Sequence, residues 1–149
     1  MVYYFAYGSL MDVQFVGELG VRYENPCSGQ LIGFDLYINV QDTTNSNFGY
    51  ANIEPRENNT VEGVLFEIPE EDLILLDSYE GYPELYSRRQ INVFSSKSKT
   101  HLKAWVYEGN LNFVVNRNLE LSNTQKDRIR NGFVFLTVDY QKKLAKLMQ

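Results

Sequence analysis

The sequence predicts an α+β fold built on a twisted antiparallel or mixed sheet. Segments with strand character are short and numerous, and turn signals separate them. The helical patterns are segregated, with one near the start, one in the middle and the others at the C-terminal end. Strands and helices therefore do not alternate as a parallel βαβ architecture requires. Because the strands are many and short, the sheet either stays open or curls into a barrel.

Length and composition are those of one ordinary globular domain spanning residues 1–149. Hydrophobic residues make up 44% and charged residues 22% of the chain, as is usual for a soluble protein. The net charge of −5 argues against nucleic acid and against an anionic membrane, because both partners require a basic face. With no signal-peptide pattern and no long apolar stretch, we expect a cytosolic (cytoplasmic) protein.

The N-terminal stretch Val2–Met11 is an apolar strand that stops at a turn. It begins with five apolar residues, three of them aromatic, which is typical of a strand buried on both faces. We expect Gly8 to end the strand in a backbone conformation closed to residues with a Cβ. Ser9 or Asp12 is predicted to cap a helix that closes at Gly20. Such a strand–turn–helix junction leaves several N–H groups unpaired, which makes it a candidate anion site.

Strand signals dominate the middle of the chain. Val21–Cys27 is predicted to be a short link, and Gly29–Ile38 a strand in which Gly33 marks a bulge. The polar residues Gln41–Asn47 predict a loop that could shape one side of a binding site. Further strands are predicted at Phe48–Glu54, Thr60–Ile68, Tyr86–Phe94 and Lys103–Tyr107, with a turn at Pro55–Asn59 and a hairpin joining the last two.

Three more helices are predicted. Pro69 and the acidic residues after it start a central helix, which Gly81 ends. Ser122–Asn131 carries a serine cap, and Asp139 is expected to cap a last helix at Tyr140–Met148. The apolar side of that last helix either covers an end of the barrel or serves a partner.

Few side chains are available for chemistry. One cysteine, Cys27, expected in a turn, and one histidine, His101, supply neither a hydrolase triad nor a Cys/His zinc site. The glycine pattern matches neither a dinucleotide fingerprint nor a phosphate-binding loop. We therefore expect no metal and no cofactor, and the remaining candidates are carboxylates, tyrosines and backbone amides.

Glu80 is the carboxylate most suited to proton transfer. It follows an apolar helical face, lies at or just past the helix end, and has three tyrosines nearby, Tyr79, Tyr82 and Tyr86. These rings could desolvate the carboxylate and raise its pKa toward a value useful near neutrality. The alternative is a solvated helix C-terminus, where an acid interacts unfavourably with the helix dipole.

Two motifs in this order resemble the gamma-glutamylcyclotransferase family. The first is Tyr7-Gly8-Ser9-Leu10 after the first strand, and the second is LDSYEGYPELYSR from Leu76 to Arg88. Residues 129–132 and 139–144 resemble the C-terminal helices of the gamma-glutamylcyclotransferase proper. The resemblance implies a small mixed, mainly antiparallel β-barrel with flanking helices.

The resemblance also implies a reaction and its residues. In this family the α-amine of a γ-glutamyl compound attacks its own γ-carbonyl, which releases 5-oxoproline and an amine without metal or organic cofactor. Glu80 would be the general acid/base. The implied substrate-binding residues are Tyr7, Gly8, Ser9, Leu10 and Tyr86. The resemblance also allows the chain to form a homodimer, as some relatives suggest.

The leaving group and two other functions stay open at this point. Leu10 stands where the gamma-glutamylcyclotransferase proper tends to carry Asn, and Gly81-Tyr82-Pro83 is closer to the branch that acts on γ-glutamyl amines. The leaving group could be an amino acid, a lysine-type amine, glutathione or another γ-glutamylated metabolite. The chain could also be a non-catalytic module that binds a small carboxylate, or an interaction protein that uses its tyrosines and its last helix.

Overall fold

The computed structural model describes residues 1–149 and contains a closed barrel of five strands with four α-helices around it. The strands are β1 (Val2–Ala6), β2 (Glu24–Gln41), β3 (Gly49–Ile68), β4 (Tyr86–Ser95) and β5 (Thr100–Gly109). The helices are α1 (Val13–Glu18), α2 (Leu73–Glu80), α3 (Asn123–Asn131) and α4 (Val138–Leu147). None of the helices has the length and apolar character needed to cross a membrane.

The barrel order is β1–β3–β2–β4–β5, and β5 returns to β1. β2 and β3 form a long antiparallel ribbon, and β1 joins β3 in antiparallel register from Val2↔Ile68 to Ala6↔Val64. The closing pair, β1 with β5, is the one parallel pair of the sheet. The predicted mixed, mainly antiparallel barrel with flanking helices is therefore confirmed.

The core fills the barrel and the space beneath the helices. Tyr4, Phe5 and Ala6 of β1 are each at most 2% exposed, as expected for a strand covered on both faces. The apolar side of α4 contributes Tyr140 and Leu144 to the same core, so this helix packs on the barrel. The apolar side of the last helix was expected either to cover the barrel or to bind a partner, and for Tyr140 and Leu144 the structure supports the first interpretation.

The β2–β3 ribbon corrects three predictions about the middle of the chain. β2 already begins at Glu24, and Cys27 lies within the strand opposite Leu65 instead of in a turn. β3 is one strand through Pro55, and the four residues 56–59 lie opposite the single residue Gly33. Turn-forming residues can be accommodated as a bulge as well as in a turn, and Gly33, with φ of 88°, absorbs the irregularity.

The helix caps follow the predictions except at the last helix. Asp12 caps α1, because its side chain accepts a hydrogen bond from Phe15 N at 3.1 Å, while residues 9–11 form a 3₁₀ turn. Gly81 ends α2 with φ of 68°. Thr137, not Asp139, caps α4, and Asp139 lies within its first turn, where a carboxylate complements the helix dipole.

Candidate functional site

A cavity of about 240 Å³ opens where β1 ends. Its wall is contributed by the loop after β1, the last turn of α2, the first residues of β3 and β4, the end of β5, and α3. The structure brings all of the predicted site residues to this one cavity, namely Tyr7, Gly8, Ser9, Leu10, Glu80 and Tyr86. The barrel thus gathers two sequence motifs that are far apart in the chain.

A tyrosine hydroxyl at the start of the loop after β1 anchors this loop to β5. The Tyr7 hydroxyl donates to the carbonyl of Tyr107 on β5 at 2.6 Å. Met11 N–H donates to Gly8 O at 3.0 Å and Asp12 N–H to Ser9 O at 3.2 Å, which closes the turn. The amides of residues 8–10 precede these donors and make none of the loop hydrogen bonds, so they are free for a ligand.

Gly8 ends the strand with φ of −125° and ψ of −131°, outside the left-handed region and also outside the regular α and β regions. A Cβ at this position would lie 3.1 Å from Cβ of Ala51 on β3. Glycine therefore fits here because the loop approaches β3 closely.

Glu80 is the last residue of α2, and its side chain lines the cavity. The residue is half-buried because the cavity opens beside it. Burial raises the pKa of its carboxyl to about 8, with no hydrogen bond or neighbouring charge contributing. The carboxyl is therefore poised to exchange a proton near neutral pH.

Tyrosines surround Glu80, although not the full set that the sequence indicated. Tyr79 and Tyr86 line the cavity, but Tyr82 is 38% exposed and lies outside it. Tyr4, Tyr7, Tyr50 and Tyr107 contribute the other phenols of the wall. Burial, and secondarily the Glu80 carboxylate, raises the pKa of Tyr4 and Tyr7, so both phenols stay neutral.

Tyr86 is 4% exposed, and its hydroxyl is already engaged. It donates to the carbonyl oxygen of Ala51 at 2.5 Å, across the cavity wall from β4 to β3. A bound molecule would therefore meet the Tyr86 ring and the lone pairs of its oxygen, because its one O–H is used.

Sequence reasoning missed the contribution of α3. Tyr79 of α2 hydrogen-bonds Ser9 Oγ at 2.8 Å and accepts from Gln125 Nε2 at 3.2 Å and from an Arg128 guanidinium nitrogen at 3.3 Å. The helical pattern of residues 122–131 was visible, but no local signal shows which side of a helix returns to a distant loop. Tyr50 is a further wall residue, and its hydroxyl donates to Asp42 of the loop after β2 at 2.8 Å.

The wall thus combines a proton-exchanging carboxyl, free backbone amides and neutral phenols. The structure contains no group of three or more His, Cys, Asp or Glu side chains arranged to hold a metal ion. A small zwitterion with a carboxylate and an amine has complementary groups for this wall.

Residues 4–129 match the model of the family described as gamma-glutamyl cyclotransferase, AIG2-like. The chain belongs to this family. The matched region includes the loop after β1, Glu80, Tyr86 and Arg128, so every wall residue named above lies within it.

Individual relatives agree with the family match. The Drosophila melanogaster protein CG2811, which bears the provisional name gamma-glutamylcyclotransferase, is 33% identical over 64 residues, and the match spans 43% of this chain and 40% of that protein. A solved structure named gamma-glutamyl cyclotransferase has a TM-score of 0.79 at 22% identity, covering 97% of this chain and 86% of its own.

A yeast structure described as a gamma-glutamyl cyclotransferase specific to glutathione has a TM-score of 0.68 at 12% identity, covering 99% of this chain and 95% of its own. At such identities, the two solved structures show that the fold is shared. The aligned part of the Drosophila protein is less than half of its length.

Proposed function

We propose that this chain is a cyclotransferase that releases 5-oxoproline from a γ-glutamyl compound, with Glu80 as the general acid/base. The observation that supports this most is the half-buried Glu80 on the cavity wall, because burial raises the pKa of its carboxyl to about 8, in the range for proton transfer. Its position on the same cavity wall as the loop of residues 7–10 agrees with the family assignment. We further propose that the reaction takes place in the cytosol.

The proposed reaction needs a single acid/base. The Glu80 carboxylate accepts a proton from the α-ammonium of the substrate, and the freed amine attacks the γ-carbonyl carbon of the same molecule. A C–N bond forms and closes a five-membered ring. The C–N bond of the γ-amide then breaks as Glu80 returns the proton to the departing nitrogen. The ring nitrogen loses its second proton, so that the released amine leaves as an ammonium ion. The products are 5-oxoproline and the protonated amine, and no water is consumed.

The raised pKa of Glu80 suits both halves of this cycle. A carboxylate with an ordinary pKa would be a weak base toward an ammonium group. The Glu80 carboxyl has a pKa of about 8, which is close to the pKa of an α-ammonium group. The proton can therefore move between the two groups in either direction at little cost in free energy. Because the attack is intramolecular, the cavity contributes mainly by holding the substrate in a reactive conformer.

In this proposal the loop of residues 7–10 holds the glutamyl moiety. Its free amides are donors of the kind that bind a carboxylate, or the oxyanion of the tetrahedral intermediate. Tyr7 fixes the base of the loop through its bond to Tyr107, and Leu10, which is 2% exposed, anchors the loop in the core. Tyr86 supplies a wall for the carbon chain of the substrate.

The test is the Glu80→Gln variant, which keeps the shape of the side chain and removes its proton exchange. Production of 5-oxoproline is measured with γ-glutamyl amino acids, γ-glutamyl amines and glutathione. Loss of general acid/base catalysis should lower kcat by about 10²–10⁴. Glu84→Gln is the matched control, since Glu84 is exposed, lies close by in the chain and is outside the cavity.

A Glu80→Gln variant that keeps kcat within a factor of about ten would contradict the assignment of Glu80. The other outcome of interest is saturable binding of a γ-glutamyl compound by the unaltered protein with the compound recovered unchanged. That result would favour the second candidate, a module that binds small carboxylates through the free amides of residues 8–10.

A further inference from the structure

Arg128 of α3 places a cation on the cavity wall without a carboxylate partner. One guanidinium nitrogen donates to Tyr79 at 3.3 Å, and the guanidinium carbon lies 3.6 Å from the centre of the Phe15 ring. Five other arginines form ion pairs, namely Arg22, Arg56, Arg88, Arg89 and Arg130. The remaining one, Arg117, is exposed and outside this cavity.

This arrangement leaves most of the hydrogen-bonding capacity of Arg128 unused. A guanidinium has five N–H donors, and only the contact with Tyr79 occupies one of them here. The Phe15 face and the Tyr79 hydroxyl restrict the rotation of the side chain, so the free donors are pre-oriented. A pre-oriented, half-buried guanidinium is the side chain best suited to bind a carboxylate through two parallel hydrogen bonds.

A γ-glutamyl amino acid has two carboxylates, and Arg128 could bind either of them. The carboxylate of the glutamyl moiety is attached to the same carbon as the ammonium that Glu80 must reach. In the proposed function the amides of residues 8–10 bind this carboxylate. Arg128 belongs to a different part of the wall, α3, and its hydrogen-bonded connection to that loop runs through Tyr79. Arg128 is therefore available for the second carboxylate, that of the leaving group.

We infer that Arg128 binds the carboxylate of the leaving group and so selects γ-glutamyl amino acids over γ-glutamyl amines. The inference rests on the proposed cyclotransferase function for its substrate and goes beyond it in naming the leaving group. It makes Arg128 a specificity-determining residue, with Tyr79 as the positioning residue that links it to Ser9.

The test compares γ-glutamylalanine with γ-glutamylethylamide, which differ only in the carboxylate of the leaving group. The unaltered protein should prefer γ-glutamylalanine in kcat/KM. Arg128→Gln should reduce that preference by about 10–100-fold, mainly through KM, which is the loss expected for a charge-assisted hydrogen bond. Arg128→Lys, which keeps the charge, should retain part of the preference.

Arg130→Gln is the matched control on the same helix. Arg130 is exposed, pairs with Asp127 and does not line the cavity, so its replacement should leave the preference as it is. Thermal melting of each variant verifies folding. An unchanged preference in Arg128→Gln, or an equal loss for both compounds, would overturn the inference.

Binding measurements separate this inference from the proposed function. Calorimetric titration of both compounds into the unaltered protein, Glu80→Gln and Arg128→Gln gives the dissociation constants without turnover. Preferential binding of γ-glutamylalanine that depends on Arg128, in a protein that produces no 5-oxoproline, would refute the reaction and support the Arg128 site. Turnover of both compounds with no preference that depends on Arg128 would support the reaction and refute the site.

Discussion

At the scale of single residues, Glu80 shows how a functional group opposes the stability of the fold. It is the last residue of α2, where the free carbonyl groups of the helix disfavour a negative charge. It is also surrounded by phenols and apolar groups that solvate a carboxylate poorly. The folded protein therefore holds the acid in its neutral form more strongly than the unfolded chain does, and ionisation of Glu80 must weaken the fold.

The predicted consequence is a pH-dependent gain of stability in Glu80→Gln. Between the ordinary pKa of 4.5 and the folded value of about 8, the folded protein binds more protons than the unfolded chain. Its free energy of unfolding therefore decreases as the pH rises through this window. The variant lacks this titration, so relative to the unaltered protein it should gain on the order of 1–3 kcal/mol between pH 4.5 and pH 9.

Urea unfolding at pH 4.5 and pH 9 measures this effect. We expect less than the full ~5 kcal/mol that the shift in pKa would give, because the open cavity admits water to the carboxyl. Glu84→Gln, at an exposed position, controls for the loss of one negative charge. A stability difference that is the same at both pH values would show that Glu80 titrates normally.

At the scale of elements, the end of α2 is fixed to the barrel by an ion pair. Arg88 of β4 binds Asp77 through two hydrogen bonds of 2.7 and 3.1 Å, and Tyr107 donates to the same carboxylate at 2.6 Å. The guanidinium carbon of Arg88 also lies 4.7 Å from the centre of the Tyr82 ring and 4.6 Å from the centre of the Trp105 ring. This contact holds the helix one turn before its last residue and so sets where the Glu80 side chain enters the cavity.

Replacing Arg88 and its neighbour Arg89 should have different effects on stability. In the Arg88–Asp77 pair the side chains are only 18% and 16% exposed, whereas in the Arg89–Glu108 pair they are 54% and 21% exposed. Arg88→Gln leaves a half-buried carboxylate without its cation and should cost about 2–3 kcal/mol. Arg89→Gln removes a pair that solvent already screens and should cost less than about 1 kcal/mol.

The midpoint and slope of urea unfolding for the two variants measure this contrast. The residues are adjacent on one strand, so helix and strand propensities differ little between the two experiments. Equal losses in the free energy of unfolding would mean that the Arg88–Asp77 pair contributes no more to stability than a surface ion pair.

The elements also show what the sequence can predict and what it cannot. The helix end at Gly81, the helix start at Ser122 and the bulge at Gly33 were predicted correctly, because each of these signals is local in the sequence. Residues 7–10 and Glu80 belong to two contiguous motifs, so the sequence could point to them as candidates, and the fold brings them to one cavity. Arg128 could not be identified in this way, because only the tertiary fold turns one side of α3 toward the loop.

At the scale of the whole molecule, barrel closure brings the site together. The end of β1, the start of β3 and the end of β5 meet around the cavity because the sheet curls until β5 pairs with β1. Close approach of β1 to β3 requires a residue without a side chain at one position. Gly63 of β3 is that residue, since a Cβ there would overlap the carbonyl oxygen of Ala6 and lie 2.8 Å from the Phe5 ring.

Gly63→Ala is therefore expected to weaken the barrel itself. The overlapping atom belongs to the backbone of β1 and cannot rotate away, so the strands must separate, at a cost near the upper end of the usual 1–3 kcal/mol for overpacking. Gly17→Ala is the control, because Gly17 lies in α1, where a Cβ would meet only Tyr23, at 3.6 Å. That variant should gain about 0.5–1 kcal/mol from helix propensity. Opposite shifts in the urea midpoint support this account, whereas a neutral Gly63→Ala would show that β1 can move away from β3 without loosening the barrel.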